Sequence, residues 1–113
     1  MRPGISGQTA IVTGAARGIG LGIARRLAAD GCRVVVWDRD PAPLDAAGDF
    51  EPVHVERVDV TRLDDVQRAF AATGHAVGDV QILVNNAGVN GPVAKAWDYP
   101  PEAWERVLAV NLT

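Results

Sequence analysis

The chain has 113 residues, 48% apolar, 22% charged and only 5% aromatic, which suits one domain with an aliphatic core. Its formal net charge of −3 excludes the basic footprint of a nucleic-acid or anionic-membrane binder, although Lys95 is the only lysine and arginine supplies the other positive charges. No apolar run is long enough to span a membrane, the N-terminus carries no signal-peptide pattern, and the single Cys32 reads as a small buried hydrophobe. The expected location is therefore the reducing cytoplasm.

Thr9-Ala10-Ile11-Val12-Thr13 is a short β-prone run ending at Gly14, which predicts a strand entering a tight turn. From Ile19 to Ala29, Ile19, Ile23 and Leu27 recur at helical spacing, with Gly20, Ala24 and Ala28 beside them to allow close approach to a sheet. Asp30-Gly31 ends that helix, with glycine suited to a left-handed cap. Arg33 to Trp37 is a second strand, apolar throughout as a strand covered on both faces should be. Residues 40–52 are rich in Pro, Ala, Asp and Gly, with a short helix expected around Leu44 to Ala47.

Val53 to Val58 alternates and predicts a third strand, with His54 off its apolar register. Thr61-x-x-Asp64 resembles a capping box, and Leu63, Val66 and Phe70 set a helix from Leu63 to Ala72. Val80 to Val84 is a fourth strand, running into Asn85-Asn86-Ala87-Gly88. Pro100-Pro101 suits a helix start, and Trp104, Val107, Leu108 and Asn111 share one face of a final helix. The alternation of strand and helix predicts an α/β fold: a Rossmann-like, doubly wound parallel sheet that stops after about four strands. The whole chain, 1–113, reads as one domain or part of one.

Gly14-x-x-x-Gly18-x-Gly20 falls between the first strand and the first helix, the context in which a glycine pattern indicates a dinucleotide site. Glycine permits the tight turn, the approach of backbone to pyrophosphate, and helix-on-sheet packing. The helix N-terminus offers N–H groups to the phosphates. Asp38 ends the second strand, eighteen residues beyond Gly20, where a carboxylate can accept from the ribose hydroxyls and repel a 2′-phosphate. That favours NAD over NADP. Arg39, aided by Arg17 in the glycine loop, offers the competing arrangement, in which arginine holds the phosphate. No metal site is expected.

Thr13-Gly14-Ala15-Ala16-Arg17-Gly18-Ile19-Gly20, Asp59-Val60-Thr61, Asn85-Asn86-Ala87-Gly88 and Asn111-Leu112-Thr113 together resemble the short-chain dehydrogenase/reductase family, in its order and spacing. The resemblance implies cofactor-binding roles for Gly14, Arg17, Gly18, Ile19 and Gly20. It implies that Asp59 bonds the adenine amino group while Val60 packs on the ring, and that Asn86, Ala87 and Gly88 line the adenosine side. Read without the family, Asp59 is a strand-end cap and the Asn pair a turn.

The family's chemistry uses an Asn-Ser-Tyr-Lys set, of which Asn111 matches the first. Ser6, Tyr99 and Lys95 are the chain's only Ser, Tyr and Lys, and none stands at the family position. The complete enzyme implied would pass a hydride between nicotinamide and a carbonyl or secondary alcohol, of 3-oxoacyl or sugar/polyol type, with Val89-Asn90-Gly91-Pro92 bordering the active site. The chain alone would be inactive. A homo-oligomer or a complementing C-terminal half would cover the open sheet edge. The rival reading is a non-catalytic dinucleotide-binding or interaction module.

Overall fold

The computed structural model describes residues 5–86 and the backbone of 108–111. Five strands form one parallel sheet in the order β3-β2-β1-β4-β5. They are β1 (Thr9–Thr13), β2 (Arg33–Asp38), β3 (His54–Arg57), β4 (Ile82–Asn85) and β5 (Leu108–Asn111), with helices α1 (Gly18–Ala29) and α2 (Leu63–Val77) in the crossovers. Strand order reverses between β1, which starts the chain's outward walk to β3, and β4, which returns to β1's other side. Crevices for ligands open at such a switch point, beyond the carboxyl ends of the strands.

The period-two geometry of strands explains why the central runs are apolar without interruption. Ile11, Val35, Trp37 and Leu83 point to one face, where they pack with Val66 and Ala69 of α2. Their neighbours Ala10, Val12, Val34, Val36, Ile82 and Val84 point to the other, against Ala24, Ile23 and Leu27 on the α1 side. Each face therefore has its own core and its own helix. Among the described residues Trp37 is the bulkiest fully buried side chain, and its indole N–H donates to the buried Thr73 hydroxyl of α2 at 3.0 Å. A buried N–H without that partner would cost about 1–3 kcal/mol.

Several expectations change in detail. Ile19 is not on the buried side of α1 but 78% exposed; Gly20 and Ala24 form the contact, because the helix start lies directly on the turn before it. Asp30 and Gly31 close α1 as expected, Gly31 at a φ of +95°. The short helix expected around Leu44 is present as a 3₁₀ helix over Ala42–Ala46. His54 stays on the regular register of β3 and is half-buried, beside Glu56. Thr61 caps no helix: α2 begins after Arg62, and the Thr61 hydroxyl turns back to Asp59 Oδ1 at 2.5 Å.

The largest correction concerns the last segment. Leu108 to Asn111 is a fifth strand parallel to β4, in the register Ile82↔Leu108 to Asn85↔Asn111, instead of a helix. The edge of β4 is a row of backbone donors and acceptors needing partners, and Leu-Ala-Val satisfies strand pairing as readily as helical spacing. Tertiary pairing overrides the local pattern. The fold class stands, with one more strand than the sequence suggested. Pro100-Pro101, Trp104 and Val107 lie outside the described residues.

Candidate cofactor site

β1 delivers the chain to a turn in which Gly14 and Gly18 adopt φ values of +65° and +60°, a region that side chains disfavour. Three hydrogen bonds from the ends of two neighbouring strands, β2 and β4, hold this turn. The Gly14 N–H donates to the Trp37 carbonyl at 2.8 Å, and its carbonyl accepts from Asn86 Nδ2 at 3.2 Å. The Ala16 N–H donates to Asp38 Oδ2 at 3.0 Å. Gly20 then seats the first turn of α1 on the same backbone. A Cβ there would lie 2.0 Å from the Gly14 oxygen and 2.5 Å from Asn86 Nδ2, so only glycine fits.

The start of α1 is electrostatically open. Its N-cap residue, Arg17, has extended backbone and makes no capping bond with its side chain, and no acidic residue occupies the first turn. The helix's first N–H groups and the positive end of its dipole are thus free of a side-chain cap. Gly18 beside them is exposed, with open space where a side chain would be. Ile19 projects outward at the same rim.

Asp38 ends β2 one strand away. Its Oδ2 takes the Ala16 N–H, and its Oδ1 accepts from the Asp40 N–H at 2.9 Å. A carboxylate has about four acceptor directions, so both oxygens retain capacity for hydroxyl donors. Arg17 turns away from the turn to pair with Asp40 Oδ2 at 3.2 Å, with both side chains largely exposed. Arg39 is exposed and lies close enough to Asp59 for its charge to act there.

β3 leads into a corner at residues 58–62. The Asp59 carboxylate accepts from the Thr61 hydroxyl and the Thr61 N–H. The Thr61 hydroxyl first, then its amide, and more weakly Arg39 and Arg62, hold the Asp59 carboxyl below the usual range. Val60 belongs to the α2-side core and keeps 6% of its surface exposed. The Asp59 N–H donates to Asp65 Oδ2 at 2.7 Å, and Arg68 Nε donates to Asp65 Oδ1 at 2.8 Å. The Asp59 amide first, then Arg68, hold the Asp65 carboxyl low.

β4 ends at the buried Asn85, whose Oδ1 lies 3.3 Å from the buried Thr13 hydroxyl. The backbone of Asn111 pairs beside it at the end of β5. Gly14, Asp38, Asp59 and Asn86 thus stand at the carboxyl ends of four neighbouring strands, along one edge of the sheet. Ala87, Gly88, Val89 to Pro92, Lys95 and Tyr99 lie outside the described residues. Sequence reasoning missed Asp40, Asp65 and Arg68. The Asp64-Asp65 pair at the start of α2 was a signal, but the capping pattern drew attention to Asp64, which instead pairs with Arg62. Among the described residues no group of three His, Cys, Asp or Glu could hold a metal ion, and no helix is long and apolar enough to cross a membrane.

Residues 8–113 match the family described as short chain dehydrogenase. The chain is 38% identical to D-beta-hydroxybutyrate dehydrogenase of Cupriavidus necator over 114 residues, covering 96% of this chain and 44% of that protein. It is 35% identical to 2-dehydro-3-deoxy-L-rhamnonate dehydrogenase (NAD(+)) of a Sphingomonas species, covering 95% of this chain and 43% of that protein. Among solved structures it resembles 3-ketoacyl-(acyl-carrier-protein) reductase of Brucella melitensis complexed with NADH. There the TM-score is 0.67 at 40% identity, covering 74% of this chain and 36% of the other. The chain therefore spans less than half the length of the curated relatives it matches. With the glycine turn, the strand order and this match over residues 8–113, the chain belongs to the short chain dehydrogenase family.

Proposed function

We propose that the chain is the NAD-binding portion of an enzyme that transfers a hydride between a nicotinamide dinucleotide and a carbonyl or secondary alcohol. The observation that carries this reading is the uncapped start of α1 beside the open Gly18, with the Asp38 carboxylate at the end of the adjoining strand. The residues fit the group. Backbone N–H groups of Gly18, Ile19 and Gly20 in the first turn would donate to a pyrophosphate, which meets no carboxylate in that turn. Asp38 accepts from the ribose hydroxyls and disfavours a 2′-phosphate. Pairing of Arg17 with Asp40 supports the same preference, because it draws that guanidinium away from a phosphate.

Asp59 accepts from the adenine amino group, and the exposed edge of Val60 meets the ring. Asn86, which braces the Gly14 carbonyl, borders the adenosine side with Ala87 and Gly88. When bound, the cofactor supplies hydride chemistry, and the protein orients it. Asn111 supports the proton relay of the whole enzyme. The names of the relatives favour a substrate of 3-oxoacyl, hydroxy-acid or sugar-acid type. The far edge of β5 is where a complementing segment or a second copy would pair. The buried Cys32 suits a reducing, cytoplasmic setting.

Calorimetric titration with NAD and NADP tests the cofactor reading. NAD should bind more tightly, and Asp38→Ala should narrow the preference roughly tenfold, as expected for removing one charge near a phosphate. Unchanged selectivity removes the role given to Asp38. No binding of either dinucleotide by the folded chain removes the reading itself.

A further inference from the structure

The outer edge of the sheet carries a set of charged contacts that cofactor binding does not directly use. Arg68, on α2, spends each of its three guanidinium nitrogens on a different acceptor. Nη1 donates to Glu56 Oε1 of β3 at 3.0 Å, Nη2 to the Arg57 carbonyl at 2.8 Å, and Nε to Asp65 Oδ1 at 2.8 Å. Glu56 is itself held from its other oxygen by His54 Nε2, at 2.5 Å. The second oxygen of Asp65 takes the Asp59 N–H at 2.7 Å. One planar fork therefore fixes helix, strand end and corner relative to one another, which a single point charge could not do.

We propose that Arg68, acting through Asp65, is a positioning residue that sets the Asp59 carboxylate for recognition of the exocyclic amino group of adenine. The inference rests on the assignment of Asp59 given above. The Asp59 backbone is gripped by Asp65 and its side chain by Thr61, so the carboxylate has little freedom to follow a different base. A carboxylate accepts from an amino group and is repelled by a carbonyl oxygen in the same place. Held firmly, it discriminates between the two; released, it swings away and discriminates less. Arg68 touches neither base nor ribose in this account, so its effect appears in base selectivity, whereas a merely structural role would weaken both dinucleotides alike.

The test compares NAD with nicotinamide hypoxanthine dinucleotide, in which a carbonyl replaces the adenine amino group, by calorimetric titration of the 113-residue chain. The unaltered chain should prefer NAD roughly tenfold or more, the range of a hydrogen bond to a charged group. Arg68→Ala and Asp65→Ala should each reduce that ratio by about threefold or more. Arg68→Lys, which keeps the charge but cannot fork, should give an intermediate ratio and remains informative if the alanine variants do not fold. Arg25→Ala, on the opposite face where Arg25 pairs with Asp49, should leave the ratio unchanged. Unchanged ratios for Arg68→Ala, Asp65→Ala and Arg68→Lys, beside a lost ratio for Asp59→Ala, overturn the positioning role alone. A ratio near one in the unaltered chain, or an unchanged ratio for Asp59→Ala, overturns the assignment of Asp59 and this proposal with it.

Discussion

The glycine turn and the Asp59 corner occupy the same edge of the sheet, yet different forces hold them in shape. At the turn, backbone packs on backbone: Gly20 lies on Gly14, and Asn86 and Trp37 bond the Gly14 peptide groups. Its tolerance is set mainly by steric exclusion, with the Ala16 N–H on the Asp38 carboxylate as a charge-dependent contact beside it. At the corner, carboxylates and a guanidinium hold an exposed loop, and those contacts depend on charge. A phosphate site gains from a rigid wall of N–H groups, whereas a base-reading site needs a side chain aimed at one atom. The two kinds of support match the two tasks proposed for them.

The largest expected effect breaks the steric side of this comparison. Gly20→Ala places a methyl 2.0 Å from the Gly14 oxygen. It should destabilise the chain by about 3 kcal/mol, the upper part of the usual range for overpacking, and abolish dinucleotide binding. Urea denaturation and calorimetry measure the two losses. A variant of unaltered midpoint would show that the turn yields more easily than its packing indicates.

A smaller effect probes the strand that the two regions share. Thr73→Val removes the acceptor of the Trp37 indole N–H without changing side-chain shape much, and should cost about 1–2 kcal/mol in urea denaturation. Because Trp37 precedes Asp38 and bonds the Gly14 N–H through its carbonyl, dinucleotide affinity should weaken only in proportion to any loosening of β2.

The smallest effect is local and separates the regions by acid. Asp59 and Asp65 are both held below the usual carboxylate range in the folded chain. Groups of depressed pKa contribute stability above their unfolded value and lose it as pH falls through the folded one. Protection of the Asp59 amide from hydrogen exchange should therefore fall below about pH 4, before that of the Gly14 amide, which bonds a carbonyl. Simultaneous loss would show that the corner and turn open as one unit.

What could be read from the residues follows the same division. The turn was legible because its demands are backbone demands: glycines at fixed spacing between an apolar run and a helix admit few other geometries. The two-sided core was legible from uninterrupted strands such as Val34 to Trp37. The corner was not, since the partner of the Asp59 amide depends on how the loop enters α2, and Asp64 and Asp65 are indistinguishable until that entry is known. Ile19 and Leu108 to Asn111 depart from their periodicity for a related reason. Periodicity reports which residues share a face; contact with Gly14 and pairing with β4 decided where those faces went.

Trp37 has a use beyond packing. A fully buried indole emits at short wavelength, and this one is the immediate chain neighbour of Asp38. With Trp97→Phe and Trp104→Phe leaving it as the sole indole, its emission overlaps the near-ultraviolet absorption of a reduced nicotinamide held at the same sheet edge. The second strand would then serve as a built-in optical donor, reporting occupancy of the site by energy transfer without an attached dye.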